Sequence, residues 1–268
     1  MDAVFDQLAE SYDSDFTHSP IGRMQRERVW AYWEQALPAE RQRLLELNCG
    51  TGYDARWLAA KGHDVLATDI SPEMIKAARS GLEAGSNSPR FATCSMQALS
   101  SLQAEGPFDF LLSNFGGLNC LDTAALQALS ADAATLLAPG GRLIAVVMPD
   151  RCHWETLYFL GKGRPGKAFR RWRGKALFDL PGGGSAGAQD MIYYYSPRRF
   201  AALFAEHFAV QAVMPVGYYL PPSYLQGWFN TRPGFLHWLG QREQGMGLRP
   251  GGARYADHFL IDLKRREE

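Results

Sequence analysis

The chain has 268 residues, 46% of them hydrophobic, with 28 Lys plus Arg balanced by 28 Asp plus Glu. That length bounds it at one large α/β domain with insertions or two small ones, and the balanced charge excludes a global field that draws it to nucleic acid. No basic start leads into an apolar core and nowhere do about eighteen apolar residues run together, which points to a cytoplasmic protein; Cys49, Cys94, Cys120 and Cys152 form no C-x-x-C pair, so reduced, mostly buried thiols and no metal site are expected. The first 42 residues read as helical, with aromatics at Phe5, Tyr12, Phe16, Trp30, Tyr32 and Trp33. From Arg43 onward, β-branched and leucine-rich runs alternate with helical stretches, the pattern of a parallel sheet covered on both faces. The predicted strands are 43–48, 63–70, 89–94, 108–115 and 141–149. Ser71, Pro72 and Glu73 mark a helix start, Ser196 and Pro197 repeat that logic, and Gly62 and Gly140 are placed to end helices in the left-handed conformation. Residues 150–192 and 217–252, rich in Gly, Pro and aromatics, are too long for ordinary connections and are expected to cap the sheet. Residues 209–217 follow a helix as a further strand, and the terminal "ARYADHFLIDLKR" alternates like an edge strand.

The stretch "LLELNCGTGYDARWLAAKGHDVLATDIS" at 44–71 concentrates the chemistry. A strand running into a Gly-rich turn and then a helix presents backbone amides and the positive helix end at the carboxyl edge of the sheet, where open α/β sheets bind ligands. A dinucleotide fingerprint wants G-x-G-x-x-G for a pyrophosphate, but Asn48 occupies the first glycine position and Glu46 stands just before it. A carboxylate there is a poor neighbour for phosphates and a good one for an amino group. Asp69, at the end of the second strand, is positioned to accept from both hydroxyls of a ribose.

These residues resemble the class I S-adenosylmethionine-dependent methyltransferases of the small-molecule type. Glu46-Leu47-Asn48-Cys49-Gly50-Thr51-Gly52 matches the family motif E-x-G-x-G-x-G except at Asn48, which fits if it adopts a left-handed conformation. "TDISPEMIKAAR" is similar to the second motif, "FDFLLSNFGGLN" at 108–119 to the fourth, and "FDQLAESYDSDF" at 5–16 to an N-terminal lid. The resemblance implies a single Rossmann-like α/β domain, 1–268. It has a lid over 1–42, a cofactor-binding core over 43–149, cap insertions at 150–192 and 217–252, and a seven-stranded sheet ordered 3-2-1-4-5-7-6 with the last strand antiparallel. It implies S-adenosyl-L-methionine as cofactor, with Glu46 near its amino group, Asp69 on the ribose, and Ile70 and Met74 flanking adenine. Asn48, Gly50 and Gly52 would shape the turn against the methionine moiety. Ser95 and Met96 stand where the family often has Gly-Asp-Ala. Tyr12 and Phe115 would face the sulfonium, where cation–π attraction adds about 0.5–2 kcal/mol, and Asn114 would lie by the methyl group, as substrate contact or as a structural hydrogen bonder.

Three histidines, His18, His153 and His237, invite a general-base role, and His153, following the fifth strand, is the preferred one. The segment "GKGRPGKAFRRWRGK" at 161–175 carries seven Lys or Arg and no acid. A solvated face, an anionic-substrate handle and peripheral membrane contact through 162–175 all stand open. Aromatics from Tyr193 to Trp238 suggest an apolar chamber for a small or lipid-like molecule, or simple packing of the insertions. The expected function is methyl transfer to such an acceptor, by O- or N-methylation, with no nucleic acid. A tRNA or protein methyltransferase and a catalytically silent S-adenosylmethionine-binding module are the alternatives.

Overall fold

A computed structural model describes residues 17–82, 87–177, 191–248 and 250–267. The elements in chain order begin with helix α1 (Pro20–Ala36), strand β1 (Arg43–Leu47), α2 (Tyr53–Ala60), β2 (Asp64–Asp69), α3 (Pro72–Ser80), β3 (Arg90–Thr93), β4 (Phe108–Ser113), α4 (Thr123–Leu136) and β5 (Leu137–Val147). There follow α5 (His153–Gly161), α6 (Pro165–Ala168), β6 (Lys175–Leu177), β7 (Met191–Tyr193), α7 (Pro197–Phe204) and β8 (Phe208–Val216). The chain closes with α8 (Gln226–Phe229), α9 (Pro233–Gln244), α10 (Pro250–Ala253) and β9 (His258–Arg265). Seven strands form one sheet in the order β3-β2-β1-β4-β5-β9-β8, and β6 and β7 make a separate antiparallel pair. With the β6–β7 pair set aside, that is the expected doubly wound Rossmann-like order. β9, antiparallel to both neighbours, lies between β5 and β8.

The terminal segment therefore departs from its edge-strand reading. His258 to Leu263 are all buried, because both faces of β9 are covered and both its edges are paired, and β8 is the edge instead. Gly140 departs as well. It is left-handed at φ 73° but lies inside β5, whereas α4 ends at Leu137 in extended backbone. Gly62, at φ 101°, does follow the end of α2, and the hydroxyls of Ser71 and Ser196 accept from Met74 N and Arg199 N as their positions demand.

Alternate residues of each parallel strand serve opposite faces of the sheet. Leu45, Leu66 and Leu111 pack with Leu126, Leu129 and Phe200, while Leu44, Val65 and Leu112 pack with Val29, Trp33, Leu58 and Ile75. Burial on both faces is what makes these strands continuously apolar in sequence. A third cluster joins Ile21 of α1 to Leu225, Phe229, Leu236 and Leu239 of the 217–252 stretch, with Trp154 and Tyr158 of α5 against it. Among the described residues no helix is long and apolar enough to cross a membrane. Cys49, Cys120 and Cys152 are buried free thiols, and Cys94 is half-buried.

Two residues of the basic run, Arg170 and Arg171, are anchored against α5 and the start of β9. Arg171 is buried and bonds Glu155 and Asp257, while Arg170 makes a two-pronged pair with Glu155. Burial works against ionised Asp257, but His258 and Arg171 outweigh it and hold the carboxyl well below its ordinary 3.8. A depressed carboxyl contributes stability above its unfolded value and loses it as pH falls. Replacing Arg171 with Met removes the buried cation between Glu155 and Asp257 and should cost about 3–5 kcal/mol at neutral pH. In urea melts the gap between wild type and variant should narrow below about pH 4; a gap independent of pH would contradict the pairing.

Candidate functional site

The carboxyl ends of β1, β2 and β4 meet at one cavity of ≈ 200 Å³. β1 ends in the turn that the glycine motif encodes, and the turn needs unusual backbone: Asn48 has φ 48° and Gly50 φ 54°. Asn48 holds that conformation through its side chain, whose amide donates to Asn114 O at 2.9 Å and whose oxygen accepts from Ser113 Oγ at 2.6 Å. A Cβ on Gly117 would overlap the Asn48 carboxamide, which explains the second glycine after Phe115. Gly52 has a different duty from the one its motif position implies. At φ 75° it caps α2 and does not line the cavity; a Cβ there would run into the Phe91 ring at 2.6 Å. Packing against β3, not approach to a ligand, requires that glycine.

Asp69 lines the cavity with its carboxylate fixed by Gly50 N at 2.9 Å and Ser71 N at 3.0 Å. Ile70, Met74, Ser95 and Met96 line the same wall, joined by Cys94 and Gln97. Ser95 also accepts from Gln97 N at 3.2 Å, so its oxygen caps the next turn while its O–H remains able to donate. The far wall is apolar: Cys120, Leu121, Met148 and Ile192.

Glu46 faces a second, smaller cavity of ≈ 20 Å³ with Arg26, Thr17, Tyr53 and Asp54, and Asn48, Asn114 and Phe115 border both spaces. Its Oε2 is buried without a hydrogen-bond partner among the described residues. Burial foremost, with the Asp54 charge behind it, outweighs the opposing pull of Arg26 and pushes the Glu46 carboxyl well above its ordinary range, a shift that favours its protonated form. That volume has room for about one water-sized group, such as an ammonium.

The two cavities are held in register by Asp54. It accepts from Trp30 Nε1 at 2.7 Å and Asn114 Nδ2 at 2.9 Å, and it pairs with Arg26 at 2.6 Å. Asn114 is thus a connector, its Oδ1 accepting from Phe115 N at 3.0 Å. Phe115, left-handed at φ 46°, sets its ring 5.2 Å from the Arg26 guanidinium and edge-on to His258 at 5.6 Å. A non-glycine residue in that region is strained, which is a mark of functional turns.

His153 does not border either cavity. Its Nδ1 lies 2.6 Å from Tyr255 O, and its ring packs on Trp154 and Tyr218, so the structure does not bring it to Asn114 and Phe115. His18 packs on Tyr53 and His237 bonds Gln241 on an exposed helix. Tyr12 lies outside the described residues. Sequence reasoning missed Arg26, Asp54, Gln97, Cys120, Leu121, Met148 and Ile192. Arg26 had a signal: it sits on the same helical stripe as Val29, Trp30 and Trp33, where a charge is costly unless paired. The others carry ordinary core side chains or follow a motif without belonging to it.

Residues 44–141 match the family model described as a methyltransferase domain. That stretch is similar to the core of S-adenosylmethionine-dependent methyltransferases. The ubiquinone biosynthesis O-methyltransferase of Xylella fastidiosa is 37% identical over 114 residues, 42% of this chain and 44% of that protein. The tRNA 5-carboxymethoxyuridine methyltransferase of Escherichia coli is 28% identical over 116 residues, 41% of this chain and 44% of that one. The chain spans about half the length, or less, of these curated relatives. Among solved structures, DhpI in complex with SAH superposes with a TM-score of 0.62 at 17% identity, covering 99% of this chain and 95% of that one, which establishes a shared fold.

Glu46→Gln tests the buried acid without any ligand. The unfolded chain ionises at Glu46 above about pH 4.5 while the folded protein keeps it neutral, so wild type loses stability as pH rises through that range. The variant should melt higher than wild type at pH 7 and show no advantage below pH 4.5; a difference that does not vary with pH would refute a neutral Glu46. Asp54→Ala removes the partner of a buried guanidinium and should lower stability by about 3–5 kcal/mol in the same melts.

Proposed function

We propose that the chain transfers a methyl group from S-adenosylmethionine to a small, largely apolar acceptor, by O- or N-methylation. The observation that carries this reading is the orphaned, neutral Glu46 carboxyl at the end of β1, one turn from the anchored Asp69 carboxylate at the end of β2. The first is an acceptor waiting for an amino group; the second offers its remaining lone pairs to a pair of hydroxyls. A dinucleotide brings ribose hydroxyls for Asp69 but no amino group for Glu46, and its phosphates would meet Glu46, Asp54 and Asp69 together.

The donor, when bound, supplies an electrophilic methyl on a sulfonium, and its displacement needs alignment more than acid–base chemistry, a contribution of about 7–11 kcal/mol. The protein's own residues do the aligning. Asp69 holds the sugar, Ile70 and Met74 flank the base, and Gly50 lets the backbone come close. Glu46 takes the ammonium, and in doing so gives up its proton, so the chamber exchanges one positive charge for another. Phe115 and Asn114, bordering both cavities, stand where the reacting centre falls. The apolar wall of Cys120, Leu121, Met148 and Ile192 excludes water from it and favours an acceptor of the same character. Similarity to the ubiquinone biosynthesis O-methyltransferase supports a lipid-like acceptor of this kind.

A polymer substrate is less well supported. Arg170 and Arg171, the centre of the basic run, are spent on Glu155 and Asp257 and do not form a groove toward the cavity. The residues that border the cavity leave Phe115 and Asn114 facing it, which supports turnover over a silent binding module.

Asp69→Ala should weaken donor binding about a hundredfold in calorimetry, near the upper end for hydrogen bonds to a charged group. Unchanged affinity would remove the ribose assignment and with it the donor pose.

A further inference from the structure

Two stretches of the sequence, 156–177 and 218–242, contain no Asp or Glu, although the chain as a whole is balanced at 28 and 28. They pack together through Phe159, which stacks on Tyr224 at 6.4 Å, and Trp154, just before the first stretch, lies edge-on to Phe229 at 6.0 Å. Of the seven tryptophans, Trp172, Trp228 and Trp238 are exposed at 50%, 49% and 46%, and all three belong to these stretches. Trp30, Trp33, Trp57 and Trp154 are buried or half-buried. Each exposed indole carries a guanidinium over its ring: Arg151 on Trp172 at 4.1 Å, Arg232 on Trp228 at 4.1 Å and Arg242 on Trp238 at 5.2 Å. Phe235, itself exposed, stacks on Trp238 at 5.9 Å, and Leu157 and Leu160 stand out from α5. Lys162, Arg164, Lys167, Arg173 and Lys175 make no ion pair among the described residues.

We propose that this surface docks on an anionic lipid bilayer. Indoles settle at the headgroup level with their apolar bodies inward, and Arg and Lys reach the phosphates. Cations near such a surface are drawn to it, and the two stretches carry no acid to oppose that attraction. The occupant follows from charge complementarity joined to aliphatic exposure: Leu157 and Leu160 gain from hydrocarbon, and an arginine over each indole covers a face on which a nucleic-acid base would stack. The surface is wired to the cavity. β6 of the basic stretch pairs with β7, whose Ile192 forms part of the cavity's apolar wall. Docking would set that wall toward the bilayer.

Vesicle flotation tests this directly and needs no methyl donor, so its result is separate from that for the donor site. The protein should float with vesicles of phosphatidylcholine and phosphatidylglycerol in equal parts, stay behind with phosphatidylcholine alone, and be released by high salt. Tryptophan emission should shift to the blue on binding. Trp228→Ala with Trp238→Ala, and separately Arg232→Gln with Arg242→Gln, should each weaken anionic-vesicle binding about tenfold or more, at an unchanged melting temperature. Val210→Ser, on the exposed edge strand β8, should leave it unchanged. Failure to float with anionic vesicles, equal binding to both lipid compositions, or retention on bulk tRNA in place of vesicles would each overturn the proposal.

Discussion

A single carboxylate organises the site. Asp54, in the first turn of α2, accepts hydrogen bonds from Trp30 and Asn114 and pairs with Arg26, so one buried anion ties the N-terminal helix, the glycine-turn helix and the end of β4 to each other. The positive end of α2 favours a negative charge at that position, and Arg26 balances it. Residues that border both cavities depend on this hub. Asn114 is oriented by it, Phe115 is oriented by Asn114, and Arg26 reaches across to the Phe115 ring.

The same economy of charge explains the neutral Glu46. Asp54 and Asp69 stand nearby, Arg26 is paired with Asp54, and burial outweighs what Arg26 and Arg56 offer a third anion. Burial of such an acid in its protonated form costs folding stability at neutral pH, a trade common where function needs a strained or desolvated group. The left-handed Asn48 and Phe115 belong to the same class of cost, met by the hydrogen bonds that hold each of them.

Outside the core, the insertions are held by comparable knots. Glu243 of α9 gathers the amides of Gly217, Tyr219 and Leu220, and Arg171 joins α5 to the residue before β9. Burying those acids and two of the basic residues leaves an outer face where aromatic rings and unpaired cations are exposed together. Stability and surface character are here two consequences of one distribution: the acids point inward, and the cations point both ways.

The chain's own order of residues determined the parallel sheet, the strand limits within a residue or two for β1 through β4, the serine caps, and the turn in which Asn48 and Gly50 need positive φ. These are local matters. Strand periodicity, cap chemistry and left-handed backbone are decided by residues within a few positions of each other. Tertiary structure decided what depends on partners far away in sequence. Asn114 meets Asp54 across 60 positions, and Arg171 meets Asp257 across 86. Burial of β9 between two strands, the packing duty of Gly52 against Phe91, the distance of His153 from the cavity and the central place of Arg26 are of this second kind. A buried charge is legible in a sequence as an anomaly on an apolar stripe, but which opposite charge neutralises it is set only when the chain closes on itself.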